Sequence, residues 1–170
     1  MYRNQHDKDG TCAVMGNAAV ERFDEVITSM NGTSTPSTTQ EDIHSHIDRY
    51  VKLDDNEFSV DVKSAKATRR DGSIVIDEVW VELINVQGNN GWLFGKEDFL
   101  AFELKKYNFL LVPRLLLAKL CKEKIDTNCI VSRPEDSLYK LYSREGRKDM
   151  ISRIKLDDVI NIKHIILRKR

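Results

Sequence analysis

The chain has 170 residues, 41% of them hydrophobic, and its 27 basic residues balance its 27 acidic ones. That length supports one well-packed core rather than two ordinary domains, so a single domain is expected over residues 16–170, after a flexible tail over 1–15. No apolar run approaches the roughly 20 residues that a membrane span needs. The first residues lack the apolar core of a signal peptide, which predicts a soluble, cytoplasmic protein.

The first predicted element is an amphipathic helix. Apolar residues between 17 and 30 recur every three or four positions, which is typical of a helix with one buried face. Glu21 is expected at the border of that face. Asn31 and Gly32 form a stop signal, and the Ser/Thr-rich residues 33–39 predict a loop with nothing to pack against.

A β-hairpin is predicted next. Residues 47–53 and 58–64 have strand-like patterns and flank an acidic turn at 54–56. His44 and His46 would share a strand face if the first strand began early, and they could then ligate a transition metal. No third ligand is clustered with them in the sequence.

The second part of the chain predicts more strands and one long helix. Residues 74–86 are expected to form one or two strands, with Glu82 beside the second hairpin strand. A helix is expected from Pro113 to Lys124, because proline is well tolerated in a first turn. Its inward face is expected to carry Leu115, Leu116, Leu117, Leu120 and Cys121. The other predicted elements are strands at 99–104, 109–112, 138–142, 151–154 and 162–167 and a helical turn at 156–160. Mixed strands flanked by helices predict an α/β domain, with α+β as the alternative.

The hairpin places three charged side chains at one point. Alternate side chains of a strand share a face, so Asp61 and Lys63 are expected to point the same way while Val60 and Val62 enter the core. Asp48 on the neighbouring strand would add a second carboxylate. Two carboxylates with a strand carbonyl and water suit Mg²⁺ or Mn²⁺, and a lysine beside them could position or deprotonate an attacking water.

A helix with Glu21, then Asp48, then Asp61-Val62-Lys63 in an apolar strand resembles the PD-(D/E)xK nuclease superfamily. That superfamily includes restriction enzymes, Holliday-junction resolvases and phage and repair nucleases. The resemblance covers residues 16–120, and one departure is that isoleucine precedes Asp48 where the family often has proline.

The resemblance implies a restriction-endonuclease-like mixed central sheet flanked by helices, and a divalent-metal-dependent nuclease. Asp48, Asp61 and the Val62 carbonyl would bind Mg²⁺ or Mn²⁺, and Lys63 would orient the attacking water. Glu21 or Glu82 would hold a second metal ion or a metal-bound water. The expected substrate is DNA rather than RNA, and the expected activity is that of an endonuclease. Such an enzyme would serve a phage, a mobile element or a repair system. Many members of the superfamily are dimers, so a homodimer is expected.

Nucleic-acid contacts are expected from local basic patches, because the overall charge is neutral. The candidates are Lys66, Arg69 and Arg70 after the motif strand, and Arg144, Arg147 and Lys148 further along. Trp80 and Trp92 could stack on bases, but core packing is preferred for Trp80, whereas Trp92 follows a loop and is expected to be partly exposed.

Less specific interpretations stay open from the sequence. Asp61 and Lys63 could be an exposed strand face whose charges pair with a neighbour, Asp48 a charge at a strand edge, and Glu21 and Glu82 solvated residues. The alternative function is a non-catalytic nucleic-acid-binding or assembly protein that keeps the nuclease fold. A third interpretation is a structural protein of an unrelated fold, in which Asp48 and Asp61 would lie far apart.

Overall fold

The computed structural model describes residues 10–65, 77–105 and 107–170. The helices are α1 (Thr11–Ser29), α2 (Thr39–Ser45), α3 (Arg114–Lys124) and α4 (Leu156–Ile160). The strands are β1 (Thr33–Pro36), β2 (Arg49–Leu53), β3 (Asn56–Lys63), β4 (Glu78–Ile84), β5 (Phe99–Lys105), β6 (Asn108–Pro113), β7 (Asp126–Val131), β8 (Lys140–Tyr142), β9 (Met150–Lys155) and β10 (Ile165–Arg168). This mixed content confirms the predicted α/β class.

The chain divides into two compact units. Unit 1 takes the residues up to Ser64 together with Glu97–Leu111 and Ile165–Arg170, and unit 2 takes Ala65–Lys96 and Val112–His164. A six-stranded sheet has the order β1-β2-β3-β5-β6-β10, and a four-stranded sheet has the order β4-β9-β8-β7. The single domain expected over 16–170 stays a prediction.

Helix α1 packs on the six-stranded sheet and forms the core of unit 1. The rings of Phe23 and Phe109 meet edge to face, with centroids 5.2 Å apart. This core contains Ala19, Phe23, Val26, Ile27, Val51, Val60, Val62, Ala101, Phe109, Leu111 and Leu167. The prediction that Val60 and Val62 enter the core is therefore confirmed. Glycine suits position 32, directly after the helix, because a Cβ there would lie only 2.9 Å from the Lys52 carbonyl oxygen.

The predicted hairpin is present as β2 and β3, which pair antiparallel from Arg49 opposite Val60 to Leu53 opposite Asn56. The predicted loop at 33–39 is partly wrong, because β1 pairs with β2 at the sheet edge. Most side chains of β1 are exposed, so its sequence carries no alternating apolar pattern; main-chain pairing forms this strand.

Helix α2 was not predicted as a helix. It begins with a capping box, in which the Thr38 side chain accepts from the Glu41 N–H and the Glu41 carboxylate accepts from the Thr38 N–H. His44 lies in this helix, and His46 ends it in the left-handed conformation at φ 55°. The expectation that these two histidines share a strand face is therefore wrong.

The strand that bears Glu82 has different neighbours from those expected. β4 pairs antiparallel with β9, whereas β3 pairs with β2 and, in parallel, with β5. The expectation that Glu82 lies on the strand next to the motif strand is wrong. Strands that follow each other in sequence are spatial neighbours only about two-thirds of the time.

In unit 2, helix α3 agrees with the predicted range but buries fewer residues than expected. Leu117 and Cys121, one turn apart, are buried, whereas Leu115 is 71% and Leu116 38% exposed. A narrow apolar stripe suffices for a short surface helix. Burial raises the pKa of the Cys121 thiol to about 12. Within the described ranges, no helix combines the length and apolar character that a membrane crossing requires.

Candidate functional site

The candidate site lies at the end of the hairpin that is opposite its turn. Asp48 directly precedes β2, and its N–H donates to the Val60 carbonyl over 2.9 Å. Arg49, the first residue of β2, is opposite Val60. Asp48 therefore lies at the point where the pairing of β2 with β3 ends.

The Asp48 carboxylate is fixed by the backbone of β3. Its Oδ2 accepts a hydrogen bond from the Val62 N–H at 2.8 Å. The pairing of β3 with β2 ends at Val60. Beyond that point the Asp48 carboxylate, instead of a strand carbonyl, accepts the hydrogen bond from the Val62 N–H. Asp48 and Asp61 are therefore close to each other, and the interpretation in which they lie far apart is wrong.

The Val62 carbonyl lies on the same edge of β3 as Asp48. In an extended strand the N–H and the C=O of one residue point to the same side, and the Val62 N–H points to Asp48. A backbone oxygen is thus available beside the Asp48 carboxylate. This is the position that a ligand role for Val62 requires.

Asp61 and Lys63 share a face of β3, as predicted. Lys63 Nζ lies 2.6 Å from Asp61 Oδ2, and the Asp61 side chain is 4% and the Lys63 side chain 20% exposed. Apart from this ion pair, Asp61 Oδ2 has no polar partner among the described residues. Asp61 is buried and Lys63 is partly buried, so the two do not form an exposed strand face.

Several charges act on Asp61. Burial raises the pKa of its carboxyl well above the ordinary value, the ion pair with Lys63 opposes that shift, and the charges of Asp48 and Glu97 raise the pKa further. Three carboxylates therefore influence one another at this point. Like charges held together in a site of low dielectric favour a bound cation.

Glu97 was not identified from the sequence. It lies two residues before β5 and is 1% exposed. The parallel pairing of β3 with β5, in which Val60 is opposite Phe99, brings this residue into the field of Asp61. No local pattern marks a buried glutamate outside a strand, so only the strand pairing reveals it.

Asp42 of α2 is the second acid that the sequence did not indicate. The residue as a whole is exposed, but neighbouring atoms enclose part of its carboxyl, and that burial raises its pKa. The charge of Asp48 raises the pKa further, while Lys63 lowers it. Asp42 therefore belongs to the same electrostatic site.

Glu21 and Asp48 line one pocket of about 330 Å³, together with Asp42. Glu21 is exposed on α1, so its side chain is accessible from this pocket. Ser37, Thr38 and Thr39 contribute hydroxyl groups to the pocket walls. The role of Glu21 at a second metal ion stays a prediction.

Arg49 adds a cation to the wall of this pocket. Its guanidinium donates to the Asp24 carboxylate of α1, at 3.1 Å, and to the Asp48 carbonyl, at 3.0 Å. The first of these contacts anchors the start of β2 to the helix. An arginine fixed in this way could also contact a phosphate.

The other predicted residues lie elsewhere in the chain. Glu82 is part of unit 2, and its role as a metal ligand stays a prediction. Lys66, Arg69 and Arg70 lie outside the described residues. Arg144 is paired with the buried Asp149 through its Nε, at 2.6 Å, and is followed in the same turn by Arg147 and Lys148.

The fit of a metal ion depends on the chemistry of the donors. Among the described residues, no group of three or more His, Cys, Asp or Glu side chains is arranged to hold a metal ion. Two acidic side chains, one with a buried oxygen that accepts no hydrogen bond from the described residues, and an adjacent backbone carbonyl are nevertheless all hard oxygen donors. Mg²⁺ binds through one or two carboxylates and otherwise keeps water, so this donor set fits Mg²⁺ or Mn²⁺.

Comparisons of the chain with models of protein families, with curated proteins and with solved structures each give no match.

Proposed function

We propose that this chain is a divalent-metal-dependent nuclease that hydrolyses phosphodiester bonds, with DNA as its substrate. The observation that carries the proposal is the Asp48 carboxylate bound to the Val62 N–H, beside the buried ion pair of Asp61 and Lys63. Endonuclease action, a homodimer as the acting form, and a role in a phage, a mobile element or repair are parts of the proposal.

Asp48, Asp61 and the Val62 carbonyl would hold Mg²⁺ or Mn²⁺. A bound divalent ion supplies Lewis-acid activation of the phosphate and of the attacking water. The backbone contact of Asp48 and the burial of Asp61 limit the movement of both carboxylates, so little reorganisation is needed on binding.

Lys63 would act directly on the substrate. Its ammonium now balances the charge of Asp61 at 2.6 Å. Next to a scissile phosphate, the same group would orient the attacking water and donate hydrogen bonds to the phosphoryl oxygens as negative charge develops. Arg49, on the wall of the adjoining pocket, would contact a neighbouring phosphate.

The test is cleavage of a panel of single-stranded, duplex, flapped and four-way-junction DNA and of RNA, in Mg²⁺, Mn²⁺ or EDTA. Wild type is compared with Lys63→Ala and with Lys52→Ala, a matched lysine on β2 that is 63% exposed. Metal-dependent cutting by wild type and by Lys52→Ala, but not by Lys63→Ala, is the expected result.

Two other outcomes would end the proposal. Cutting in EDTA would exclude the metal site, and equal rates for wild type and Lys63→Ala would exclude the assigned lysine. Binding of nucleic acid without cutting under every condition would support the alternative of a non-catalytic binding or assembly protein.

A further inference from the structure

Unit 2 has an aromatic pocket that the nuclease site does not use. Its volume is about 220 Å³, and Trp80, Trp92 and Tyr142 line it together with Glu82 and Arg144. The Trp80 and Tyr142 rings have centroids 6.2 Å apart and planes tilted by 42°. Three aromatic side chains around one opening form a surface suited to a planar ligand.

The exposure of the two tryptophans is the reverse of what the sequence suggested. Trp92 is 7% exposed, whereas Trp80 on β4 is only partly buried. Trp80 is held in place by Arg153, whose guanidinium lies 5.9 Å from the centre of its ring. Arg153 donates to the Ser137 hydroxyl and to the Glu135 carbonyl, so the guanidinium beside the indole is itself held by hydrogen bonds.

The wall of the pocket carries one cation, Arg144, and one anion, Glu82. Arg144 is bound on one side by Asp149, which is fully buried, while the Arg144 side chain remains 36% exposed. A guanidinium has five N–H donors, so a carboxylate on one side leaves donors for a second acceptor. Arg147 closes the same turn through its N–H to the Arg144 carbonyl, at 3.0 Å, and the exposed Lys148 packs against Gly88.

We infer that this pocket binds an unstacked nucleobase of a single-stranded nucleic acid, with the phosphate of that nucleotide at Arg144. The aromatic rings supply a stacking surface that accepts any base. The Glu82 carboxylate on the pocket wall can accept a hydrogen bond from a base N–H. This inference goes beyond the nuclease proposal, because it requires neither Asp48 nor Asp61.

The chain itself supplies the probe for this site. Its only two tryptophans are Trp80 and Trp92, and both line the pocket. Intrinsic tryptophan fluorescence therefore reports on this pocket. The full-length protein in EDTA would be titrated with (dT)₆, (dA)₆ and (rA)₆, with the corresponding mononucleotides, and with inorganic phosphate and tetramethylammonium as controls.

A saturable fluorescence change with oligonucleotides, but with neither control, is the expected result. Tyr142→Ala should weaken binding by roughly 5- to 150-fold, which corresponds to the loss of one stacked base. Tyr142→Phe keeps the ring and should bind like wild type. Tyr50→Ala, which removes a partly exposed ring in unit 1, should also bind like wild type. Comparison of (dA)₆ with (rA)₆ shows whether the pocket distinguishes DNA from RNA.

Three results would overturn the inference. One is a wild-type protein whose fluorescence does not change with any nucleotide, which is informative even if Tyr142→Ala fails to fold. Another is an equal response to inorganic phosphate, which would leave no role for the base. The third is a response to tetramethylammonium alone, which would identify a cation pocket instead.

Discussion

Two buried carboxylates in the six-stranded sheet have their charges met in different ways. Glu103 of β5 faces α1, and its two oxygens accept hydrogen bonds from Arg22 at 2.6 and 2.7 Å. Asp61 of β3 lies on the opposite face. One ammonium contacts it at 2.6 Å, its Oδ2 accepts no hydrogen bond from the described residues, and Asp48 and Glu97 add like charge.

The two carboxylates are almost equally buried, with side chains 6% and 4% exposed, so burial alone does not separate a structural acid from a functional one. The two carboxylates differ in the charged groups that contact them. A bidentate arginine offsets much of the desolvation of Glu103. Asp61 has a single ammonium as its partner, and Asp48 and Glu97 add like charge; a buried acid whose pKa is raised in this way is common at binding and catalytic sites.

The largest expected effect is on catalysis. Asp61→Asn should lower the cleavage rate by about 100-fold or more, because it removes a charge that acts in the transition state. Glu103→Gln, assayed at a temperature where it is folded, should cut within a few-fold of wild type. Rates with the best substrate and Mn²⁺ measure both variants. Equal losses in the two variants would remove the distinction between the carboxylates.

The second expected effect is of a metal ion on stability. Ligand that binds only the folded state stabilises it by about 2.7 kcal/mol at a concentration of 100 Kd. Mn²⁺ should therefore raise the free energy of unfolding of wild type and of Glu103→Gln but not that of Asp61→Asn. Chemical denaturation with and without Mn²⁺ measures this, and equal stabilisation of all three proteins would show that the ion binds elsewhere.

The third effect is the cost of breaking the structural pair. Glu103→Gln should lower the free energy of unfolding by about 2 kcal/mol, because it leaves the Arg22 charge without its carboxylate partner. The cost stays below that of a fully buried pair, since 23% of the Arg22 side chain is exposed and can regain water. Chemical denaturation at neutral pH gives the value, and a change below the experimental error would mean that the pair is not structural.

A fourth effect has the opposite sign and is smaller. In EDTA, Asp61→Asn should raise the free energy of unfolding by about 1 kcal/mol, because it removes a buried carboxylate that lies in the field of Asp48 and Glu97. The loss of the Lys63 ion pair keeps this gain small. A destabilised Asp61→Asn protein would place Asp61 with Glu103, as a structural acid.

The smallest effect concerns Asp158 of unit 2, which accepts hydrogen bonds from Tyr139 and from Lys124. Tyr139 donates to Asp158; burial and then this hydrogen bond raise the pKa of Tyr139 from 10.0 to about 12. A raised folded-state pKa means that the contribution is complete below pH 10 and is lost as the pH rises towards 12. Tyr139→Phe should cost about 1 kcal/mol at neutral pH, and the gap to wild type should close over that range in denaturation experiments.

The sequence predicts well those parts of unit 1 in which a periodic pattern of apolar side chains determines the local structure. Alternation along β3 predicts that Asp61 and Lys63 share a face and that Val60 and Val62 are buried. Apolar spacing predicts α1 from residue 17 onward, whereas the helix begins at Thr11, within the expected tail. The second neighbour of β3 could not be predicted, because its parallel partner β5 is separated from it by a long stretch of chain. Glu97 was missed for this reason, and Glu82 was placed beside the wrong strand.

Asp42 and β1 were missed for a different reason. β1 is an edge strand with little buried surface, and α2 is a seven-residue helix without a buried residue. Neither has a periodic apolar pattern, since main-chain hydrogen bonds and a capping box hold them. The charges around Asp48, and the pocket that Asp48 shares with Glu21, therefore could not be predicted from the sequence.

The pairing of β2 with β3 also determines where this protein can change in length. A single-residue insertion or deletion between the turn and Lys63 would shift the alternation of β3, and Asp61 would turn into the α1 core. Extra residues between Asp54 and Asp55 would leave all five strand pairs from Arg49 to Leu53 in register, and exposed turns commonly tolerate insertions. The tip of the hairpin is thus a suitable position for a fluorophore or an affinity tag, and comparable variation in length along the strand is expected to abolish the site.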